Sequence, residues 1–233
     1  MPKTITNATV IGQRVLNATT KLIEVYAPEI AKTAVPGQFV NVQVCKNTAP
    51  LLRRPFGVAG VNADNGTFIM IYRIIGEATH ILAEVCSGDK LSIVGPLGHG
   101  FAMEAERPLL VGGGLGLAPL LYLAEGFCAQ NKPNIHITTD DGSCGVQGTV
   151  IALLPQLLDS GKYDCVYVCG PVPMMKAVAE VADEKNIKCQ VSLEKYMACG
   201  LGACLSCSCS GIGKRLKVCT DGPVFWAEEV GEW

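Results

Sequence analysis

Excess charge is missing from this chain. Its 19 Lys and Arg against 21 Asp and Glu leave a net charge of −2, with no basic run to track a phosphate backbone, so nucleic-acid binding is not expected. Histidine is scarce: His80, His99 and His136 are far apart, which excludes a histidine-rich metal centre. No Ser/His/Asp set and no paired carboxylates stand out; Asp140-Asp141-Gly142-Ser143 follows an expected strand and reads as an acidic turn. A membrane-length hydrophobic run is also lacking. Residues 108–124 carry no charge, but this stretch contains four glycines and two prolines and falls short of the roughly 20 apolar residues a span requires. The opening MPKTITNATVIG has no apolar signal core, so the expectation is a soluble protein of the reducing cytoplasm.

Cysteine, by contrast, is plentiful, with twelve in 233 residues. Four of them, Cys199, Cys204, Cys207 and Cys219, have the spacing C-x4-C-x2-C followed by a distant fourth. That is the ligand spacing of a plant-type [2Fe–2S] cluster. The small or apolar loop residues Gly200, Leu201, Gly202 and Ala203 let backbone N–H groups approach sulfur. Structural zinc sites more often use two short C-x2–4-C pairs. Cys209, two residues past Cys207, reads as a packed thiol or a substitute ligand. The other cysteines, among them Cys45, Cys86, Cys128 and Cys165, fall in apolar segments and are expected to be buried free thiols.

With 49% hydrophobic residues, the chain is long enough for two domains and an appendage. Residues 1–101 carry short β-rich runs at 7–16, 19–27, 38–45, 55–61, 67–75 and 90–94, separated by turn signals, with a helix near 77–86. Such punctuation predicts a small antiparallel β-barrel. Residues 102–193 alternate instead: strands at 108–112, 134–139, 164–169 and 188–193, helices at 117–130, 148–158 and 171–186. This alternation predicts a doubly wound parallel sheet. Residues 194–233 hold the cysteine loop and are expected to have little regular structure.

Three further segments invite a ligand. Gly112, Gly113, Gly114 and Gly116 link a strand to a helix carrying Pro119 in its first turn, a geometry that lets backbone meet a pyrophosphate or makes a plain tight turn. Cys169-Gly170-Pro171 ends a strand at the carboxyl edge of the sheet, where open α/β sheets bind ligands; a buried small residue before a helix explains it equally. In the barrel, Arg53 and Arg54 precede Pro55-Phe56-Gly57, and alternation allows at most one of the two arginines to face a ligand. Ile71-Tyr72-Arg73 and Gly76-Glu77-Ala78-Thr79 form a second patch, with a tyrosine able to cover a ring and a helix start able to take a phosphate.

Together these segments resemble the ferredoxin reductase-like flavoproteins. Arg54-Pro55-Phe56-Gly57 is similar to their R-x-[FY]-S flavin motif, and Gly95-Pro96-Leu97-Gly98, the 112–119 turn and Cys169-Gly170-Pro171 follow in the superfamily's order. The segment from Met197 to Cys209, with Cys219-Thr220-Asp221-Gly222-Pro223, resembles the electron transfer subunits of NAD-dependent dihydroorotate dehydrogenase B. The resemblance implies FAD on the barrel, held by Arg54, Pro55, Phe56, Gly57, Ile71, Tyr72, Arg73, Gly76, Ala78 and Thr79. It implies NAD(H) as co-substrate at Gly112–Gly116, Cys169 and Gly170, and a [2Fe–2S] cluster on Cys199, Cys204, Cys207 and Cys219. It further implies an FMN-containing dihydroorotate dehydrogenase catalytic subunit as partner, in a heterotetramer of two plus two, with no pyrimidine site on this chain. Two departures stand out. Gly57 replaces the motif's serine, and only about twenty residues separate Pro119 from Thr139, so a strand–helix unit of the nucleotide domain is missing. Nor does an acidic residue end a second strand to take a ribose hydroxyl. Two alternatives remain: the small subunit of an NAD(P)H–ferredoxin oxidoreductase, a group in which one cluster ligand tends to be aspartate, and a non-catalytic FAD and iron–sulfur carrier without nicotinamide binding.

Overall fold

The computed structural model describes residues 4–45, 49–128, 136–139, 142–231 and 233. Its N-terminal part is a seven-stranded antiparallel sheet made of β1 (Thr4–Asn17), β2 (Thr20–Tyr26), β3 (Phe39–Gln43), β4 (Arg54–Gly57), β5 (Gly60–Asn62), β6 (Thr67–Arg73) and β7 (Lys90–Leu97). The strand order is β4-β3-β7-β1-β2-β6-β5. Period-2 alternation turns Ala8 and Val10, Ile23 and Val25, Phe68, Met70 and Tyr72, and Leu91 and Ile93 into one core. Each larger side chain buried there contributes about 1.5–3 kcal/mol.

The two edge strands β4 and β5 are consecutive in the chain, and this is how the sheet curls into a barrel. The expected single strand 55–61 breaks because its backbone changes partner: the Val58 N–H bonds the Gln38 carbonyl (3.0 Å), and the next N–H, from Ala59, bonds that of Ile69 (2.9 Å). A four-residue helix, α1 (Pro28–Ala31), has no counterpart in the sequence reading and starts on a proline at its first position. The expected helix after Gly76 is α2 (Glu77–Glu84).

The second part is a four-stranded sheet. Strands β8 (Pro108–Gly112), β11 (Cys165–Cys169) and β12 (Lys188–Ser192) are parallel, in the order β8-β11-β12. Helix α3 (Leu117–Cys128) buries Leu120, Leu123 and Phe127 against Cys165, Tyr167 and Cys169. On the opposite face, α4 (Leu154–Asp159) and α5 (Val172–Glu184) cover Val166 and Val168 with Leu154, Leu158, Met175 and Val178. The sheet is thus doubly covered. The expected helix 148–158 is interrupted: a 3-10 turn at Val150–Ala152 precedes α4, whose start is set by Pro155. The expected strand 134–139 falls partly outside the described residues. Its described end, β9 (Thr138–Thr139), pairs with β10 (Val146–Gln147) rather than with β8.

The C-terminal segment is more ordered than expected. A hairpin, β13 (Ser208–Gly211) and β14 (Lys214–Lys217), follows the cysteine loop, and β15 (Val224–Trp226) adds antiparallel to β12 as the sheet's edge. The chain therefore folds back onto the α/β sheet after the cysteine loop. The barrel joins this assembly where the His99 N–H donates to the Gly222 carbonyl (2.6 Å). No helix among the described residues is long and apolar enough to cross a membrane.

Candidate functional site

The four cysteines form two pairs. Cys207 and Cys219 are 2% and 1% exposed and belong to the core, whereas Cys199 is half-buried and Cys204 exposed. Burial pushes the Cys219 thiol up to about 11, its hydrogen bond and proximity to Cys207 add to that, and the Gly202 backbone pulls it back. Cys204 is held down at about 6, first by the Ser206 hydroxyl 3.2 Å away, then by the Ser206 and Cys199 backbones and the Cys199 side chain. The Leu201 N–H also points to the Cys199 Sγ, at 3.3 Å. Among the described residues no three His, Cys, Asp or Glu side chains converge as they would around one ion. Two thiol pairs approached by backbone N–H groups suit a two-iron cluster, which all four thiols would hold, better than a tetrahedral zinc.

Two glycines shape this loop. Gly200 and Gly202 have φ of +69° and +85°, and a Cβ at Gly202 would come within 2.8 Å of Thr220. Leu205 also has a positive φ, +62°, strain that its place between two ligands explains. Cys209 lies opposite Leu216 in the β13–β14 hairpin and packs on the core, so the packed-thiol reading fits it. Of the thiols expected to be buried, Cys165 is, Cys45 is half-buried, and Cys86 and Cys128 are exposed where α2 and α3 end.

In the barrel, the two arginines divide as alternation requires. Arg53 is engaged in structure: its guanidinium donates to the Ser92 carbonyl (2.5 Å) and hydroxyl (2.9 Å). Among the described residues Arg54 bonds only neighbouring carbonyls, those of Leu52 (2.6 Å) and Arg53 (3.4 Å), so most of its donors stay available to an anion. Phe56 meets Tyr72 edge-to-face at 5.8 Å, which sets β4 beside the end of β6, where the chain turns into α2. Thr79 Oγ1 accepts from the Ile75 and Gly76 N–H groups (2.9 and 3.1 Å) and so fixes the start of α2, whose first-turn donors have no intrahelical acceptor. Arg54 and the Gly76-Glu77-Ala78-Thr79 start together suit a diphosphate. Pro55 and Gly57 line the same strand. Tyr72 does not serve as a ring cover: it is 2% exposed, points into the barrel core, and donates its hydroxyl to Gln13 Oε1 (2.6 Å). Burial raises its pKa to about 12. Its neighbours Ile71 and Arg73 face outward instead.

The two turns of the α/β sheet are brought into contact. The Gly113 N–H bonds the Cys169 carbonyl (3.0 Å), and a Cβ on Gly116 would lie 2.2 Å from that same oxygen and 2.6 Å from the Gly170 nitrogen. Gly112 packs against Leu117, and Gly114 is exposed with φ +58° and open space before it. A Cβ at Gly57 would sit 3.7 Å from Pro119, so the barrel's arginine strand faces the glycine turn. Cys169 is buried, its thiol raised to about 12 by desolvation, with Glu194 adding and Ser192 opposing. The turn pair and the end of β4 thus lie side by side where barrel and sheet meet.

Asn41 escaped the sequence reading. It lies on β3 opposite Pro55 of β4, is fully buried, and its amide reaches the Cys199 carbonyl at 3.4 Å while its Oδ1 has no partner among the described residues. A Cβ at Gly200 would meet it at 2.7 Å. The only signal in sequence was a polar residue within an apolar strand.

Comparison with known proteins agrees with this geometry. Residues 194–231 match the model of the iron-sulfur cluster binding domain of dihydroorotate dehydrogenase B. A "Dihydroorotate dehydrogenase B (NAD(+)), electron transfer subunit" of Caldanaerobacter subterraneus subsp. tengcongensis is 41% identical over 220 residues, covering 84% of this chain and 86% of the relative. One from Desulforamulus reducens is 35% identical over 249 residues, covering 94% and 95%. That alignment is longer than the 233-residue chain itself, so it carries gaps on this side, in keeping with a short nucleotide unit. Among solved structures, an NADH-dependent reduced ferredoxin-NADP oxidoreductase has a TM-score of 0.87 at 28% identity, covering 97% of this chain and 90% of that one. The ferredoxin reductase of carbazole 1,9a-dioxygenase, at 18% identity and TM-score 0.65 over 80% and 67%, shares the fold. Likeness of this degree along most of the sequence, with the cysteine loop inside the matched cluster domain, places the chain in the family of electron transfer subunits of NAD(+)-dependent dihydroorotate dehydrogenase B.

Proposed function

We propose that this chain passes electrons between a dihydroorotate-oxidising, FMN-containing catalytic subunit and NAD, by way of a [2Fe–2S] cluster and FAD, in pyrimidine biosynthesis in the cytoplasm. Flavin, when bound, exchanges hydrides with a nicotinamide and single electrons with a two-iron cluster, which is why the three belong together. The observation that carries the reading is the place of β3. Asn41 on that strand pairs with Pro55 of the arginine strand and reaches the Cys199 carbonyl, so one strand joins the flavin patch to the cysteine loop. Cys199, Cys204, Cys207 and Cys219 would hold the cluster. Arg54 and the start of α2 would hold the FAD diphosphate, and Phe56 would face the ring. Half-buried Cys199 and exposed Cys204, beside exposed Leu201 and Leu205, would offer the partner its approach, while the other pair is sealed in the core.

Co-expression with the FMN subunit from the same genome tests this. A complex with the mass of two copies of each chain should form and reduce NAD+ at the expense of dihydroorotate. A stable complex without dihydroorotate-dependent NAD+ reduction would reject the reading. The ferredoxin-NADP oxidoreductase alternative draws on the 0.87 TM-score of that structure, yet the curated relatives at higher identity are dihydroorotate dehydrogenase subunits. Ferredoxin-dependent and dihydroorotate-independent reduction would favour it.

Arg54→Ala should weaken FAD binding about ten- to hundredfold, the loss of a charge-assisted contact to phosphate. Arg53→Ala should leave FAD affinity unchanged, since that guanidinium is committed to Ser92. Flavin retained after gel filtration measures both. Equal losses would show that the two arginines do not divide their roles.

A further inference from the structure

The turn that would meet a nicotinamide is complete, but the unit that would hold the far end of a dinucleotide has no room in the chain. On the complete side, the Gly113 N–H is tied to the Cys169 carbonyl, Gly114 faces open space, and a Cβ on Gly57 would lie 3.7 Å from Pro119. A nicotinamide, ribose and phosphate laid along the two turns would therefore reach the end of β4. On the other side, α3 ends at Cys128 and the next described strand, β9, starts at Thr138. The nine residues between them are too few for a further strand and helix, since such a crossover takes about a dozen or more.

Among the described residues β8 has a neighbour on one side only, β11, and β9 pairs with β10 instead. No described strand therefore carries a carboxylate beside the open edge of β8, the position from which a ribose hydroxyl is usually read. Leu117 and Leu121, one turn apart on α3, are 53% and 44% exposed. Apolar side chains of that kind offer nothing to tell a ribose hydroxyl from a phosphate.

We infer that this chain recognises its pyridine nucleotide through the nicotinamide–ribose–phosphate half alone, so that reduced nicotinamide mononucleotide and NADPH serve it as well as NADH. The inference rests on the reading that a nicotinamide meets the barrel flavin. The chemistry is the same for all three donors. One hydride passes from the dihydronicotinamide to the flavin, the donor is oxidised by two electrons to the pyridinium, and the flavin is reduced by two. Only the unread end of the donor differs.

Two measurements on the FAD-loaded, cluster-loaded protein test this. The first is anaerobic flavin bleaching by NADH, NADPH and reduced nicotinamide mononucleotide. The second is calorimetric binding of NAD+, oxidised nicotinamide mononucleotide and 5′-AMP. Second-order rate constants within about fivefold of one another, with no heat from 5′-AMP, are expected, because a site without hydrogen bonds to the distinguishing group discriminates weakly. A preference for NADH above about a hundredfold, or measurable 5′-AMP binding, would overturn the inference while leaving nicotinamide as the donor. Bleaching by dithionite or the reduced FMN subunit, with none from any of the three donors, would overturn both the inference and the nicotinamide reading.

Discussion

Replacing Cys204 with serine should strip the chain of its iron while leaving the flavin in place. Cys204 is exposed, so the substitution opens no cavity and the fold should persist. Its sulfur is the one that the Ser206 hydroxyl, two backbones and the Cys199 side chain all favour as thiolate, the form that binds metal. Removing it leaves one pair intact and the other with a single thiol, too few for a cluster that needs four ligands. Iron should fall from about two per chain to near zero, and the cluster's visible bands with it. Flavin reduction by NADH should remain, because β4, α2 and the glycine turns do not touch Cys204. Dihydroorotate-dependent NAD+ reduction in the complex should drop at least about a hundredfold, since a missing relay lengthens the path between flavins. Cys209→Ser is the control. Its side chain packs on the core in the β13–β14 hairpin, so iron and activity should both persist. Two irons retained in Cys204→Ser and lost in Cys209→Ser would exchange their roles.

The cysteine loop was legible because its information is local: four thiols and two glycines within about twenty residues fix both the ligands and the backbone that approaches them. The barrel strands were legible for the same reason, through alternation and turn residues. Phe68, Met70 and Tyr72 share one parity, and with two of them inward the third must follow, which turns the Tyr72 side chain into the core. What escaped depends on distant partners. The break at Val58 and Ala59 exists because two adjacent N–H groups find carbonyls on different strands. β15 is three residues long, too short for a periodic signal, and is a strand because β12 presents an open edge to it. Asn41 is set by the cysteine loop 158 residues away. Cys86 and Cys128 are exposed, against the expectation from their apolar neighbours, because those do not fix which side of a helix end faces water.

Gly116→Ala should be the most damaging single-methyl change outside the cluster. Gly116 has no positive φ, so an alanine there meets no backbone strain of its own. Its added Cβ would instead lie 2.2 Å from the Cys169 oxygen, 2.4 Å from the Cys169 carbonyl carbon and 2.6 Å from the Gly170 nitrogen. All three are backbone atoms of the neighbouring strand end, which no rotamer change can move. The two turns must separate, and the Gly113 N–H to Cys169 bond goes with them. Overpacking of this kind costs about 1–3 kcal/mol, and the lost bond adds about 1. For a chain of this size the melting temperature should fall by about 5–15 °C. Flavin bleaching by NADH should slow by more than about tenfold, because the turn pair would position the nicotinamide beside β4. FAD and iron contents should stay at their normal levels. Gly114→Ala is the informative contrast: its Cβ meets nothing within 4 Å, and the only penalty is the left-handed φ of +58°, about 1 kcal/mol. Thermal melts and anaerobic bleaching of the two variants side by side separate close approach from conformational freedom. If Gly114→Ala proves the more damaging in both, contact between the two turns is not what the 112–116 segment is built to provide.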